Sequence, residues 1–364
     1  MQVQTLPVQE IIGNPNSLGF AANQVTEMDM PRTAVEEYWD LLLTGTLTNN
    51  GTLGSPTAFV EGIENLIYSV LVNANAAVKG GVNEAFKSVD FTYLRFITHM
   101  YTGVDITRTD IGVAAMAYNF VSTPRLYFTD PLAKLPTGKS TAKATMLDAR
   151  LLSSLKLDIG WRDSAGLTYG GTDTTTNSVL SATQLQVLAT HYYGVANTTA
   201  NGATITRNYL REVQQMFPVV SSQIDSQFQN LRVGAILHRL TIKGLVQPST
   251  APATVSFADP SDVPLGGNTT RATGAQLALK INNNAYIPIS TPYAQLQNAD
   301  TKMFRLSDAW PAGYVVYETS TTHNPRAMLN LRTAINMSLW ADTDFTSGVQ
   351  NNVQLTYVER VTPQ

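Results

Sequence analysis

The sequence predicts an all-β protein built from two copies of one β-sandwich or barrel unit. The first observation is a long-range repeat, because residues 29–47 and 230–245 carry related sequences at positions 201 residues apart. The second is that short runs of alternating apolar and polar residues, bounded by clusters of turn residues, recur along the chain. Many short strands between polar turns are typical of sandwiches and barrels. A repeat of so long a period indicates duplication of a whole domain.

The repeat reads DMPRTAVEEYWDLLLTGTL in the first copy and NLRVGAILHRLTIKGL in the second. Both copies alternate with period 2, which predicts a strand with one buried face in each. The residues predicted to face the core are Trp39, Leu41, Leu43, Leu47, Leu240 and Ile242. The residues predicted to face outward in the second copy are Arg239, Thr241 and Lys243.

Two further pairs of segments follow in the same order. MLDARLLSSLKLDIGW (146–161) parallels MLNLRTAINMSLW (328–340), and each predicts a turn followed by an alternating strand. Its predicted inward residues are Leu155, Leu157, Ile159 and Trp161 in the first copy, and Ile335, Met337 and Leu339 in the second. A weaker third pair is QLQVL (184–188) and QLTYV (354–358).

Residues between these landmarks predict further strands and two helices. Alternation at 68–74, 125–130, 253–257, 276–281 and 313–319 predicts strands. Apolar residues at i+4 spacing predict short helices over 89–101 and 205–217. The second helix would lie in a linker between the two β units.

The resulting division of the chain has four parts. Residues 1–28 are predicted to form an extended N-terminal arm that contributes to neither core, because they show no strong periodicity. Residues 29–195 form the first β unit, residues 196–230 the linker with its short helix, and residues 231–364 the second β unit.

Composition narrows the possible functions. The 364 residues include no cysteine, so disulfides and thiolate metal sites are excluded. The formal net charge is −3 and only 14% of residues are charged, against roughly 25% in ordinary domains. We therefore expect a neutral, polar surface suited to extensive protein–protein contact. No signal peptide and no apolar run long enough to span a membrane are visible, and no basic cluster predicts direct nucleic-acid binding.

Three segments come closest to catalytic or ligand-binding motifs. AKLPTGKS (133–140) lacks the first glycine of a phosphate-binding loop and is predicted to be a surface loop. ADTDFTSG (341–348) is predicted to be a turn capped by aspartate side chains rather than a calcium site. Glu36 and Glu37 are predicted to lie on a solvated strand edge rather than to form an acid–base pair.

The histidines also give no site. His99, His191, His238 and His323 show no spacing typical of metal ligands, and His238 is expected to be a hydrogen-bonded residue of the core or its rim. We therefore predict no catalytic, cofactor-binding or metal-binding residue and no cofactor. The chain is not expected to be an enzyme.

Three segments resemble a known family. EMDMPRTAVEEYWDLLLTGTLTNNG (27–51) resembles the first strand region of double jelly-roll major capsid proteins of tailless icosahedral double-stranded DNA viruses, including bacteriophages with an internal membrane. The matching residues are Met30, Pro31, Arg32, Thr33, Gly45, Thr46 and Leu47. Residues 145–165 look like the segment that closes the first jelly roll, and residues 308–345 are similar to the last strands.

The resemblance implies two tandem eight-stranded jelly rolls with a few short helices in loops and linker. It implies a homotrimer with a pseudo-hexagonal outline that builds the shell of a virus, for which the family suggests a bacteriophage. Implied partners are neighbouring trimers, penton and minor capsid proteins and an internal membrane surface. The implied location is the virion, after synthesis in the host cytoplasm. The alternative is a carbohydrate-binding or glycan-cleaving β-sandwich such as a spike or lectin, which would need exposed Trp or Tyr beside carboxylates; a metal-dependent cupin ranks third.

Overall fold

The fold is described from a computed structural model of the chain. The described residues are 7–12, 18–49, 57–58, 62–76, 85–106, 116–132, 145–163, 168–169, 178–196, 209–247, 258–282, 284–285, 291–319, 329–347 and 349–361. The chain divides into two compact units. Unit 1 comprises residues 1–213 and 361–364, and unit 2 comprises residues 214–360.

Strands dominate both units. Those of unit 1 are β1 (Val8–Ile12), β2 (Val25–Asp29), β3 (Val35–Asn49), β4 (Thr57–Ala58), β5 (Ile67–Ala76), β6 (Lys87–Val89), β7 (Ala117–Ser122), β8 (Arg125–Tyr127), β9 (Leu147–Asp148), β10 (Leu152–Trp161), β11 (Thr168–Tyr169) and β12 (Ser178–Tyr192). The boundary between the units falls within β13 (Tyr209–Pro218). Those of unit 2 are β14 (Gln223–Phe228), β15 (Ile236–Val246), β16 (Asp259–Pro260), β17 (Gln276–Ile281), β18 (Asn284–Ala285), β19 (Thr291–Pro292), β20 (Tyr314–Glu318), β21 (Leu329–Asn330), β22 (Met337–Thr343) and β23 (Asn351–Val361).

Within the described residues, each unit also carries one short and one longer α-helix. These are α1 (Gly62–Asn65) and α2 (Phe91–Thr102) in unit 1, and α3 (Val263–Gly266) and α4 (Tyr293–Phe304) in unit 2. The helix predicted over 89–101 is confirmed as α2, whose N-cap Asp90 accepts a hydrogen bond from the backbone N–H of Tyr93. Helix α4 was not predicted from the sequence.

Unit 1 pairs its strands in two principal sheets. One has the order β1-β12-β3-β7, with β8 and β9 also paired to β3. The other contains β6-β5-β10-β2. In unit 2, β15 pairs with β16, β20, β21 and β23, and the facing sheet has the order β14-β22-β17-β18 with β19 paired to β17. Alternate residues of these strands pack into an apolar core within each unit.

The registers of β3 in unit 1 and β15 in unit 2 confirm the duplication. Val35 on β3 pairs with Asp148, and its repeat equivalent Ile236 on β15 pairs with Asn330. Asp148 and Asn330 are themselves the matched positions of the second repeated segment. A β-bulge interrupts the ladder with the partner strand at the same position in both units, at Glu37 in β3 and at His238 in β15.

Backbone hydrogen bonds repeat in the same way. The N–H of Met30 donates to the carbonyl of Leu155, at 2.9 Å, and the N–H of Leu231 donates to that of Met337, at 3.3 Å. A second pair of equivalent backbone hydrogen bonds lies at the turn before the second repeated strand. The N–H of Ala149 donates to the carbonyl of Ala34 in unit 1, and the N–H of Leu331 donates to the carbonyl of Ala235 in unit 2.

The longer helices are held to their units by equivalent bonds as well. Thr98 on α2 accepts a hydrogen bond through its hydroxyl from the backbone N–H of Arg125, at 2.8 Å. Asp300 on α4 accepts one through its carboxylate from the backbone N–H of Val316, also at 2.8 Å. Because Asp300 is buried at a core-facing position, α4 lacks the continuous apolar stripe that would have predicted it.

Most of the predicted core is confirmed. Trp39, Leu41, Leu43, Leu47, Leu155, Leu157, Ile159, Trp161, Leu240, Ile242, Met337 and Leu339 are all buried. The prediction for Ile335 is wrong, since it lies before β22 with its side chain 86% exposed. The outward face of β15 is not solvated either, because Arg239, Thr241 and Lys243 are buried as well.

The third repeated segment is displaced by two residues. Ala189 on β12 pairs with Trp39, and Tyr357 on β23 pairs with Leu240. Ala189 and Tyr357 are therefore equivalent, whereas the match of QLQVL to QLTYV would make Val187 equivalent to Tyr357. A shift of two residues preserves the facing of a strand, so the alternation could not reveal the error.

The helix predicted over 205–217 is wrong, and the described part of this segment is strand β13. Leu210 and Glu212 are buried while their neighbours are half-buried, which is the period of a strand. Glu212 and Val213 pair in parallel with Lys87 and Ser88 of β6. The spacing of apolar residues in this segment is compatible with both a helix and a strand. Its pairing with β6 stabilises the strand.

The prediction that residues 1–28 form an arm outside the core is also wrong for the described residues. Strand β1 pairs with β12, and β2 pairs with β10. Leu18 is completely buried, and the ring of Phe20 packs edge-to-face on Trp161 at 5.7 Å between centroids. The weak periodicity of this segment arises because its short strands join two different sheets.

Replacing a core residue tests the assigned facing. Leu157→Ala and Leu240→Ala should each lower the free energy of unfolding by roughly 2–5 kcal/mol, because each leaves a cavity in a fully buried site. Chemical denaturation measures the change. The control Ile335→Ala, at an exposed position, should change stability by less than about 0.5 kcal/mol; a similar effect at all three positions would contradict the assignment.

Removing the N-terminal segment should destabilise unit 1. A chain lacking residues 1–24 loses Leu18, the contact of Phe20 with Trp161 and the pairing of β1. We expect its melting temperature to fall by several degrees, and Leu18→Ala alone to cost about 2–5 kcal/mol. An unchanged melting temperature in both variants would show that this segment does not belong to the fold.

The acidity of Asp300 gives stability a pH dependence. Burial raises the pKa of Asp300 to about 8 from its ordinary value of 3.8, so the folded chain keeps a proton that the unfolded chain loses. The free energy of unfolding should therefore fall as pH rises between about 4 and 8, by up to about 1.4 kcal/mol per pH unit.

The variant Asp300→Asn should remove the part of this fall that Asp300 causes, while keeping an acceptor for the N–H of Val316. A smaller fall should remain, because burial also raises the pKa of Glu36, to about 7. Denaturation across this pH range measures the difference. The variant of an exposed carboxylate, Asp308→Asn, should retain the wild-type profile. Parallel profiles for wild type and Asp300→Asn would refute the account.

Candidate assembly surface

A group of buried titratable side chains lies in unit 1. Glu36 on β3 and His191 on β12 are paired in register, and each is only 2% exposed. The carboxylate of Glu36 accepts a hydrogen bond from Trp39 Nε1 at 2.9 Å and lies 3.7 Å from His191 Nδ1. On the other side of the ring, His191 Nε2 lies 3.3 Å from Glu10 of β1, which also accepts a hydrogen bond from the hydroxyl of Tyr193.

The prediction that Glu36 lies on a solvated face is wrong, and the bulge is the reason. An extra residue at Glu37 reverses the alternation of β3, so Glu36 shares the inward facing of His191 on the partner strand. Burial raises the pKa of Glu36 to about 7, partly offset by the Trp39 hydrogen bond and reinforced by Glu10. Burial lowers the pKa of His191, while the negative charge of Glu10 acts in the opposite direction. Glu37, the bulge residue, accepts a hydrogen bond from the hydroxyl of Tyr192.

The other histidines in the described residues lie on other elements of the fold. His238 is buried at the bulge of β15, and its carbonyl accepts a hydrogen bond from the hydroxyl of Thr319 at 2.8 Å. His99 is buried within α2. AKLPTGKS and His323 lie outside the described residues.

The segment ADTDFTSG was predicted to be a turn, and only its second half is one. Asp342 lies within β22, is buried, and accepts hydrogen bonds from Arg271 and from the backbone of Asp225. Asp344 lies beyond the strand, where it accepts hydrogen bonds from Ser222 and from the N–H of Phe345, as the turn prediction requires.

Among the described residues, no group of three His, Asp or Glu side chains is placed to hold a metal ion. Within the same residues, no helix is long and apolar enough to cross a membrane.

The larger groove, of about 460 Å³, lies in unit 1 near the C-terminal end of α2. Its apolar lining includes Leu42 and Leu188. Arg125 and Asp40 at its wall already satisfy each other through two hydrogen bonds of 2.6 and 3.1 Å. None of the described residues that line it is Trp or Tyr, so it lacks the aromatic platform that a sugar-binding site would need.

A smaller groove, of about 280 Å³, lies in unit 2 where the end of β13 separates from β14. Phe217, Val219 and Phe228 line it, and Val220 is exposed beside it. Its described lining residues carry no charge. An uncharged groove lined by Ser, Thr and Gln side chains as well as apolar ones can contact another protein surface but offers no acid or base for catalysis.

Terminal strands of the sheets expose apolar side chains. On β1, Val8 is 39% and Ile11 62% exposed. On β2, Val25 is 57% exposed, but Glu27 and Asp29 surround it with charge. Edge strands with unpaired backbone groups and apolar side chains are templates for pairing with another strand, and charges protect against it. The edge of β1 is therefore the better candidate for assembly.

Comparison with known proteins gives matches at the level of structure. No family model matches the sequence, and no curated protein matches it. The crystal structure of the STIV major capsid protein, from Sulfolobus Turreted Icosahedral Virus, matches with a TM-score of 0.69 and 14% identity, covering 98% of this chain and 97% of that one.

Other viral capsids match over similar lengths. The capsid of PBCV-1 gives a TM-score of 0.59 at 11% identity, covering 100% of this chain and 98% of that chain. The major capsid protein of bacteriophage PM2 gives 0.58 at 10% identity, covering 98% of both. With its two duplicated units of paired sheets, the chain thus has the double jelly-roll fold seen in these major capsid proteins.

Proposed function

We propose that this chain is the major capsid protein of a tailless icosahedral double-stranded DNA virus. The observation that carries the proposal is that the whole chain, not one domain, matches major capsid proteins of several viruses. In this proposal the protein is not an enzyme. Its location is the shell of the virion, and it is made in the host cytoplasm.

The proposed building block is a homotrimer. Each chain contributes two jelly rolls, predicted at 29–195 and 231–364, so that a closed ring of three chains has a roughly hexagonal outline. Three-fold closure requires each copy to present one surface and to accept a different one. Permanent interfaces of this kind typically bury more than about 2,000 Å², which suits a chain with few charged residues.

Further proposed partners are neighbouring trimers, penton and minor capsid proteins, and an internal membrane surface. A bacteriophage is the proposed source. The four Trp residues give no support to the carbohydrate-binding alternative. Trp39 and Trp161 are completely buried, and Trp310 donates its indole N–H to the carbonyl of Tyr314 within unit 2. The ring of Trp340 is already covered by Lys280, whose Nζ lies 3.4 Å from the ring centroid.

Electron microscopy of the expressed chain tests the proposal. We expect purified protein to have the mass of a trimer or a larger assembly in solution, and concentrated protein to form curved sheets or closed shells. A stable monomer that never forms larger assemblies would contradict the proposal.

Nucleic-acid binding provides an independent test. Because the 24 Lys and Arg residues are dispersed along the chain, we expect no duplex binding at physiological salt in a fluorescence-anisotropy titration. Sub-micromolar binding that weakens steeply with salt would indicate a DNA-binding protein instead.

A further inference from the structure

Strand β1 lies at the edge of its sheet and buries little surface there. It is the terminal strand in the order β1-β12-β3-β7, and four of its five residues, from Val8 to Ile11, are exposed. Ile12 at its end is buried. A short edge strand of this kind opens locally at a lower free-energy cost than the whole domain. We therefore expect β1 to leave its neighbour β12 more often than the core strands separate.

The inner face of β1 covers a buried imidazole. Val8 pairs with His191 of β12, and Glu10 pairs with Ala189, so Glu10 stands on the same face of the sheet as His191. Glu10 Oε1 lies 3.3 Å from His191 Nε2 and accepts a hydrogen bond from the hydroxyl of Tyr193 at 2.8 Å. Strand β1 thus separates one side of the ring from solvent.

A buried carboxyl group lies on the other side of the ring. Glu36 of β3 is paired in register with His191, and Glu36 Oε2 lies 3.7 Å from His191 Nδ1. Both side chains are only 3% exposed. Neither ring nitrogen completes a hydrogen bond with the described residues. The imidazole is therefore enclosed between two carboxyl groups, one in the core and one at the rim.

Burial restricts the number of protons that Glu36 and His191 can hold together. Two protons would leave a positive charge in the core and none would leave a negative charge, and both states cost free energy. A single proton on Glu36 leaves two neutral groups, which cost less to bury than an ion pair. The 3.7 Å separation is also longer than the roughly 2.7–2.9 Å of a charge-assisted hydrogen bond. In the neutral state, Nε2–H faces Glu10 and the unprotonated Nδ1 faces Glu36.

The acidities of the two groups agree with this state. Burial raises the pKa of Glu36 to about 7 from its ordinary value of 4.5, and burial lowers the pKa of His191 from its ordinary value of 6.5. Opening of β1 admits water to the pair. In water, between those two ordinary values, the carboxyl group is ionised and the imidazole is protonated. The single proton therefore sits on different groups in the open and closed states.

We propose that β1 is a latch whose closing moves one proton from Nδ1 of His191 to the carboxylate of Glu36. The imidazolium becomes neutral as the carboxylate becomes a carboxylic acid, so the number of protons on the pair does not change. Docking of the N-terminal strand is therefore insensitive to pH over the range in which either group alone would make it sensitive. This property is separate from the proposed role in a capsid.

The other titratable groups around the pair have contacts of their own. The ring of Tyr193 packs edge-to-face on His191, at 4.8 Å between centroids. Two further contacts on adjoining segments join the Tyr192 hydroxyl to Glu37 and the Arg150 guanidinium to Asp148 of β9. Glu10 is the carboxylate whose charge acts on both Glu36 and His191.

Single variants separate the two halves of this compensation. In His191→Gln only Glu36 titrates; its raised pKa stabilises the closed latch fully below about pH 4.5, and this stabilisation is lost as pH rises to about 7. In Glu36→Gln only His191 titrates; its lowered pKa favours the closed latch above pH 6.5, and this effect is lost as pH falls. The two variants should therefore respond to pH with opposite signs.

Hydrogen exchange of the full-length protein measures the opening of β1, from the peptide covering residues 7–12 after correction for intrinsic exchange. Between about pH 5.5 and 6.5, the opening constant should rise about fivefold in His191→Gln and fall about fivefold in Glu36→Gln. It should change less than about threefold in the wild type and in the matched control Glu37→Gln, whose carboxylate contacts Tyr192 instead. A peptide from the core strand β10 reports global unfolding.

Infrared spectroscopy tests where the proton lies. At about pH 6 the wild-type spectrum should contain a carboxylic-acid C=O band that Glu36→Gln lacks, because the carboxyl group of Glu36 is protonated in the closed latch. The band of the buried Asp300 should be present in both spectra. Slopes of the same sign in the two variants would overturn the proposal. Absence of the Glu36 band, or exchange of β1 only through global unfolding, would overturn it as well.

Discussion

The fold depends on one long strand in each unit, β3 and β15, to which four other strands pair. The bulges at Glu37 and His238 fix the facing along these strands, because the extra residue reverses the alternation at their start. Beyond each bulge, Trp39 and Leu240 begin the row of side chains that fills the core. The bulge at Glu37 also directs Glu36 inward against His191. The register of β3 therefore determines both the apolar core and the buried Glu36–His191 pair.

The sequence predicted those parts of the fold that follow from alternation over many residues. The facing of residues 39–43 and 155–161 could be predicted because the alternation of apolar residues in the sequence matches the alternation of buried residues in the fold. The residues that were misassigned depend on pairing between distant segments. Strand β13 pairs with β6, and the N-terminal strands β1 and β2 pair with β12 and β10, all of which are distant in sequence. The burial of Glu36 depends on a bulge that the sequence does not reveal. Helix α4 was missed because its inward face includes the polar residue Asp300. No sequence pattern predicted that β1 is a terminal strand of its sheet among the described residues.

Differences between the duplicated units are informative because their geometry is shared. Where Thr98 holds α2 with a hydroxyl, Asp300 holds α4 with a carboxyl group whose pKa burial raises. This difference changes the chemistry of a contact that the two units share.

The central claim is that this double jelly roll builds closed rings of three chains. Single-particle reconstruction of the isolated oligomer tests it most directly, because even a map that only separates the β-sandwiches shows their number and symmetry. The account predicts six sandwiches around a three-fold axis. A particle containing two sandwiches, or a two-fold dimer with four, would contradict it.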